Sequence, residues 1–526
     1  MNQQPTSPPA HALAHAPAHA PVAVAVVIDA LRDAGLLVAV SDALPSHLTD
    51  LVDDSRRATP GAGFVAVRGH AQDGHDWIAT AQHAGAVLCI AEDGARMAVL
   101  DAPMPHVLVR DGRRAAAVAA AAFHGWPARD LLMVGVTGTN GKTTTVGLLR
   151  HLLHRDDRPA ASIGTLGVLL GSEGTEVPGG GGLTTPGPVE LQRLLAQLRG
   201  QGVRTVAMEV SSHSLDQRRV EGITFAAAIF TNLTRDHLDY HGTMDAYRAA
   251  KLRLVGLLAR DGVALFNAND PAWRGVTNAP RALTFGVDVP ADVTARDIVF
   301  LAQGCQFLLV APTGAVPVAL PLIGDFNIAN ALAAASAALA LGVPLADVAD
   351  KLATAPQVPG RLERLRTAPT VLRDYAHTPD ALDRALRAVR PFTLGPDGAT
   401  SRLIVVFGCG GDRDRGKRPE MGRIAESLAD VIIITSDNPR TEDPERILDD
   451  IEAGMAGHEG TPAHRRITDR REAIADALRL AQPQDVILLA GKGHETYQIR
   501  GTVSYPFDER IIVDELSTDL QHERHA

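Results

Sequence analysis

One stretch constrains this chain more than any other: Leu131-Leu-Met-Val-Gly-Val-Thr-Gly-Thr-Asn-Gly-Lys-Thr-Thr-Thr145. Leu131 to Val136 is an apolar run short enough for a buried strand, and Val146 to Leu153 carries apolar positions at helical spacing. Between them lie Gly138, Thr139, Asn140, Gly141, Lys142, Thr143 and Thr144. Strand, glycine loop, lysine, hydroxyl, helix is the layout of a phosphate-binding loop. Glycines let backbone N–H groups approach a phosphate, and the helix N-terminus adds partial positive charge. Lys142 reaches the β/γ-phosphates in such a loop, and Thr143 ligates Mg²⁺. One spacing is irregular: Gly135 stands six residues before Gly141, where the general pattern has five.

A chain of 526 residues is long enough for about three domains. The net charge of −10 argues against nonspecific nucleic-acid binding and permits local basic pockets for anions. Cys89, Cys305 and Cys409 are far apart, without metal spacing, which fits a reducing cytoplasm. No apolar run reaches membrane-spanning length. Residues 1–21, rich in Ala, Pro and His, read as a disordered tail.

The expected class is α/β. A smaller N-terminal α/β domain covers 22–127, a central P-loop ATPase domain with a mostly parallel sheet 128–358, and a C-terminal Rossmann-like domain 359–526. In the first, Ser55 and Arg56 form either a turn or a polar ligand site. In the second, Gly171 to Gly182 reads as a Gly-rich loop leading to Thr184-Thr-Pro186. Predicted strands Thr205–Val210 and Ala226–Phe230 deliver Glu209 and His237 to the C-terminal sheet edge, where a doubly wound fold places its site. Both residues suit Mg²⁺ near a triphosphate; the alternative for Glu209 is a strand-end carboxylate paired to a local arginine. Lys251, on a predicted helix, reads as a surface charge. Asn327 and Asn330, before a predicted helix Ala331–Leu341, read as a shared face or an N-cap. In the third block, three predicted strands end in polar, glycine-bearing loops, and Arg413, Arg415, Lys417 and Arg418 suit carboxylate or phosphate recognition, with a solvated charged loop as the alternative.

Five motifs together resemble the Mur ligases: Thr137-Gly-Thr-Asn-Gly-Lys-Thr-Thr144, Glu209-Val-Ser-Ser-His213, Thr231-Asn-Leu-Thr-Arg-Asp-His237, Asn327-Ile-Ala-Asn330 and Asp374-Tyr-Ala-His377. The resemblance makes the irregular glycine spacing a family variant. It implies a three-domain enzyme that binds UDP-N-acetylmuramoyl-L-alanyl-D-glutamate, ATP and an incoming amino acid, with Mg²⁺ as cofactor. By motif match, Asp53, Ser55, His70, Ala71 and Gln72 contact the UDP-sugar. Thr184, Thr185, Ser211, Gln217 and Arg219 hold the sugar-peptide. Asn327, Asn330, Arg361 and Asp374 contact the nucleotide. Lys251 aligns with a carbamylated lysine that joins Thr143, Glu209 and His237 as a metal ligand. Lys142, Lys251 and His237 are the implied catalytic residues.

Asp437-Asn438-Pro439-Arg440 resembles the signature of members that add meso-2,6-diaminopimelate. Arg413 and Arg440 suit its distal carboxylate and Glu495 its ammonium, with Asn438 and Gly491 as neutral partners. The implied reaction is amide synthesis through an acyl phosphate, within peptidoglycan precursor synthesis. His213 and His237 are the candidates for a general base. Three rival readings remain: an L-lysine-adding member, a more distant relative such as folylpolyglutamate synthase, and a non-catalytic nucleotide-binding module.

Overall fold

The computed structural model describes residues 20–69, 72–97, 104–180, 182–301, 304–393, 401–455 and 463–525. Residues 1–19 of the expected tail, and the proposed ligands His70 and Ala71, lie outside the described residues. The chain divides into two compact units: residues 1–292 with 333–343, and residues 293–332 with 344–526.

Among the described residues, beside a short antiparallel pairing of Val22–Ala23 with His47–Leu48, the first unit contains two large sheets. The N-terminal one runs Leu37–Val40, His106–Val109, Leu88–Ala91, Ala62–Val65, Asp50–Val52, parallel except for its antiparallel edge strand Leu37–Val40. Helices Val24–Asp33 and Gly112–Phe123 pack on it through Val27, Leu31, Ala115 and Ala119. Seven of the twelve residues of the second helix are alanine, and these small side chains let it be buried almost entirely.

In the central sheet the parallel strands run Ala160–Gly164, Thr205–Glu209, Leu132–Thr137, Phe225–Phe230, Leu258–Asn267, Arg281–Val287. Their near-continuous apolar content follows from burial on both faces. The predicted Gly171–Gly182 loop is not uniformly loop. Thr175–Val177 pairs with Gly167–Leu170 as an antiparallel hairpin at the sheet edge, because Val177 joins the core. Gly135 lies mid-strand. A Cβ there would stand 3.1 Å from the Phe225 ring, so this glycine serves packing and lies outside the loop.

The second unit holds an antiparallel meander, Val293–Leu301, Gly304–Ala311 and Gly314–Leu320. It also holds a six-stranded sheet in the order Glu363–Thr367, Thr370–Asp374, Val486–Ala490, Leu403–Phe407, Val431–Ile434, Ala463–Arg466. All pairings in the larger sheet are parallel but the first. Helices Pro379–Val389, Lys417–Leu428 and Pro444–Glu452 bury Leu386, Met421 and Leu448 on one face. Helices Arg470–Leu480 and Glu509–His525 bury Ile474 and Val513 on the other. This is a doubly covered Rossmann-like layer. The helix predicted from Ala331 begins at Asp325, so Asn327 and Asn330 lie inside it and neither is an N-cap.

Candidate active site

Strand Leu132–Thr137 ends at Gly138, and helix Lys142–Leu153 starts after Gly141. Both glycines have positive φ, +147° and +85°, which side-chain-bearing residues rarely adopt. A Cβ on Gly138 would also fall 1.8 Å from Thr231 Oγ1. The neighbouring strand end holds the loop from behind. Asn140 N donates to Asn232 Oδ1 at 2.8 Å, Thr231 Oγ1 donates to the Asn140 carbonyl at 2.6 Å, and Thr139 N donates to the Asn232 carbonyl at 2.8 Å. Lys142 Nζ folds onto its own loop, 3.0 Å from Gly138 O and 2.8 Å from Thr139 O. Gly138 to Thr144 thus form one cradle, with Thr143 and Thr144 buried beneath it.

Lys251 corrects the surface-charge expectation. It sits on helix Met244–Leu252, is 1% exposed, and donates to Gly138 O at 2.7 Å. Its ammonium lies 4.4 Å from the Tyr247 ring centroid. Burial, and then the charge of Lys142, hold its proton affinity well below the usual lysine range. Glu209 is 1% exposed and, among the described residues, pairs with no arginine. Its Oε1 accepts from Thr165 N at 2.9 Å and its Oε2 from Thr165 Oγ1 at 3.2 Å. A Cβ on Gly164 would lie 2.4 Å from that carboxylate, so the strand end is cut to fit it.

The His237 side chain is 47% exposed, on a residue with φ +52°. Its ring stands 4.7 Å from that of His213. Burial lowers both imidazoles, His213 to about 4, so both are neutral near pH 7. Among the described residues no three His, Cys, Asp or Glu gather into a metal-sized cluster. Protein donors alone therefore make no cage. The Glu209 carboxylate and Thr143 hydroxyl fit a Mg²⁺ that takes further oxygens from phosphate and water.

The five residues expected to hold the sugar-peptide form a connected network. Thr185 Oγ1 donates to Glu209 O at 2.8 Å and accepts from Ser211 N at 3.1 Å. Arg219 donates to Thr185 O at 2.9 Å and to Gln217 Oε1 at 2.6 Å. Thr184 Oγ1 lies 3.3 Å from Thr165 Oγ1, which bonds Glu209 in turn. Asp53 and Ser55 follow strand Asp50–Val52. Ser55 is buried and opens a short 3-10 turn, while Arg56 pairs outward with Asp54 at 2.7 Å, the turn reading for that residue. Gln72 is exposed. Sequence reasoning missed Arg57 and Arg193. They pair with Glu190 at 2.9 Å and Asp50 at 2.9 Å, tying this strand end to helix Pro188–Gly200.

In the second unit, Asn327 Nδ2 donates to Ile323 O at 2.7 Å and Asn330 Nδ2 to Asn327 Oδ1 at 3.0 Å. Arg361 lies 4.8 Å over the Tyr375 ring. Asp374 accepts from Leu362 N at 2.7 Å, and burial raises its carboxyl to about 6.

Asp437 to Arg440 sit at the C-terminal end of strand Val431–Ile434. A Cβ on Gly410 would lie 3.0 Å from Arg440 Nη1 and 3.7 Å from Arg413 Cγ, so both arginines flank one glycine turn. Gly491 approaches the Asp437 carboxylate, and Glu495 Oε2 accepts from Asn438 Nδ2 at 3.0 Å. The four cations after Cys409 divide. Arg418 is fully buried against Glu442 at 3.0 Å and Asp450 at 2.8 Å, and Lys417 donates to His377 O at 2.7 Å. Arg413 and Arg415 are exposed. Lys492, buried among Asp437, Asn438 and Glu495, went unread, because a lysine between two glycines carries no sign of burial.

Three family models match in order along the chain. They are the Mur ligase family catalytic domain at residues 49–124, the Mur ligase middle domain at 136–338, and the Mur ligase glutamate ligase domain at 360–493. A phosphate cradle, a buried lysine on it and a separate Rossmann-like layer are the marks of an ATP-using ligase fold of this three-domain kind. The chain belongs to the Mur ligase family. It is 44% identical over 470 residues to UDP-N-acetylmuramoyl-L-alanyl-D-glutamate–2,6-diaminopimelate ligase of Geobacillus thermodenitrificans, covering 87% of this chain and 92% of the relative. A solved structure under that same enzyme name is 33% identical, with a TM-score of 0.64 over 92% of this chain and 97% of its own. Folylpolyglutamate synthase of Mycobacterium tuberculosis shares the fold at 19% identity, with a TM-score of 0.57 over 72% of this chain and 92% of its own. Among the described residues no helix is long and apolar enough to cross a membrane.

Proposed function

We propose that this chain joins meso-2,6-diaminopimelate to the D-glutamyl γ-carboxylate of UDP-N-acetylmuramoyl-L-alanyl-D-glutamate, driven by ATP, in peptidoglycan precursor synthesis in the cytoplasm. One observation carries this reading. Thr185 and Ser211 bond around Glu209, on the strand paired with the one that ends in the phosphate loop, so acceptor network and ATP cradle share one sheet edge. The relatives' shared name and the Asp437–Arg440 loop supply the choice of amino acid.

The γ-carboxylate attacks the γ-phosphorus of ATP, and ADP leaves. The amine of diaminopimelate then adds to the acyl phosphate, loses a proton, and phosphate departs as the amide forms. Lys142 swings from its loop carbonyls to the phosphates, and loop N–H groups share their charge. Arg219 and Thr185 orient the acceptor. Thr143, Glu209, His237 and a carbamate on Lys251 would hold Mg²⁺, which supplies positive charge against the triphosphate. The depressed proton affinity of Lys251 leaves a free amine able to take up CO₂. By motif match, Asn327, Asn330, Arg361 and Asp374 are the second unit's candidates for contact with the nucleotide.

Phosphate release, measured with each amino acid in the presence of ATP and the UDP-linked dipeptide, tests it. Release is expected with diaminopimelate and not with L-lysine. Equal turnover with lysine would overturn the reading of Asp437 to Arg440.

A further inference from the structure

Lys492 is the one residue of the amino-acid cluster that neither the motifs nor the reaction above employs. Its side chain is 0% exposed. Nζ donates to Asn438 Oδ1 at 3.1 Å and to Glu495 Oε2 at 3.0 Å, and stands 3.5 Å from Asp437 Oδ1. Burying an ammonium is costly unless charges and hydrogen bonds compensate it, and here two carboxylates do. Asp437, Glu495 and Lys492 together carry one net negative charge, apart from the arginines Arg413 and Arg440 that flank the nearby glycine turn. Asp437 is 7% exposed, and the only cation on its Oδ1 among the described residues is Lys492, at an ion-pair distance of 3.5 Å with no closer hydrogen bond. A buried carboxylate oxygen held only by a long ion pair keeps a vacant hydrogen-bonding position, which suits a second, closer cationic donor.

Lys492 also decides which way Asn438 faces. Asn438 Oδ1 accepts from Lys492 and from Ile499 N at 2.9 Å, so its Nδ2 is turned to Glu495 Oε2. That oxygen therefore receives two donors, while no donor is found on Oε1 among the described residues. The hairpin Tyr497–Arg500 and Val503–Pro506 holds the whole loop in register. Gln498 Nε2 donates to Asp437 O at 2.7 Å, and Arg440 N donates to Ile499 O at 3.1 Å.

We infer that Lys492 is a positioning residue for amino-acid recognition. It occupies Glu495 Oε2 and fixes the Asn438 amide, so that Glu495 Oε1 and Asp437 Oδ1 remain as a paired acceptor for the non-reacting ammonium of diaminopimelate. This rests on the proposed substrate. It adds that the pocket reads the ligand by completing its own charge, with Arg413 and Arg440 left for the carboxylate.

The test compares diaminopimelate with 2-aminopimelate, which keeps both carboxylates and one amine, in the wild type and in Lys492→Met. In the wild type, KM for 2-aminopimelate should exceed that for diaminopimelate by roughly tenfold to a hundredfold, the range of a charged hydrogen bond. Lys492→Met should raise KM for diaminopimelate about tenfold and shrink the ratio toward one, with KM for ATP and the UDP-linked dipeptide unchanged. Lys492→Arg, which keeps the charge, should restore part of the ratio. If Lys492→Met does not fold, Lys492→Gln makes the same comparison, since it keeps a donor for Asn438 without the charge. An intact ratio in the neutral variant overturns the inference. So do a common rise in all three KM values, equal use of both amino acids by the wild type, or failure of both neutral variants to fold. Absence of diaminopimelate-dependent phosphate release by the wild type would instead overturn the substrate reading itself.

Discussion

The molecule buries two functional lysines in opposite company. Lys251 has a second cation, Lys142, for a neighbour and a backbone carbonyl at 2.7 Å as its acceptor. Lys492 has two carboxylates within 3.5 Å. The first setting disfavours an ammonium and prepares an amine for chemistry. The second pairs the lysine nitrogen with carboxylates and makes it a fixed part of the pocket. Burial alone therefore says nothing of a lysine's role; the sign of the charge beside it does.

The largest expected effect is on the phosphate cradle. Lys142→Ala should lower turnover by roughly a thousandfold, as loss of a transition-state charge partner does, read as phosphate release. Residual activity near wild type would remove Lys142 from the reaction.

Lys251→Ala should lose about a hundredfold or more of turnover while nucleotide binding, followed by calorimetry, is largely kept. Full activity without added bicarbonate or a substitute anion would sink the carbamate. The same lysine sets a pH-dependent stability. Its proton affinity is depressed in the folded state, so the unfolded chain binds more protons and stability rises with pH up to the ordinary lysine value of 10.5. Lys251→Met should thus melt higher than the wild type near pH 7, and the gain should shrink as the pH approaches 10.5. A lower melting point at neutral pH would break the contrast between the two lysines.

Arg440→Ala should raise KM for diaminopimelate about tenfold or more and KM for ATP far less, since the guanidinium is the partner of the distal carboxylate. An equal effect on both would detach Arg440 from amino-acid recognition. The smallest effect sharpens the loop boundary. Gly135→Ala places a Cβ 3.1 Å from the Phe225 ring and should cost about 1–3 kcal/mol in thermal unfolding, with KM for ATP unchanged.

The phosphate cradle was legible before any coordinates because its function is carried by backbone. A short apolar strand, glycines at positive φ and a helix start are local features, and local features are written in consecutive residues. The alternation of strands and helices was readable for the same reason, although the edge hairpin Gly167–Val177 hid under glycines that mark its turns. The helix start at Asp325 was misplaced because Asn327 and Asn330 have cap-like chemistry and yet bond within the helix.

By itself the sequence determined the fold class, the phosphate loop and the family motifs. Tertiary structure alone decided the environments: that Lys251 is buried on the loop, that Glu209 takes Thr165 as its partner, that Arg418 is structural, and that Lys492 lies between carboxylates. The physical reason is that burial and charge pairing join residues tens to hundreds of positions apart, and no local pattern records which of them meet.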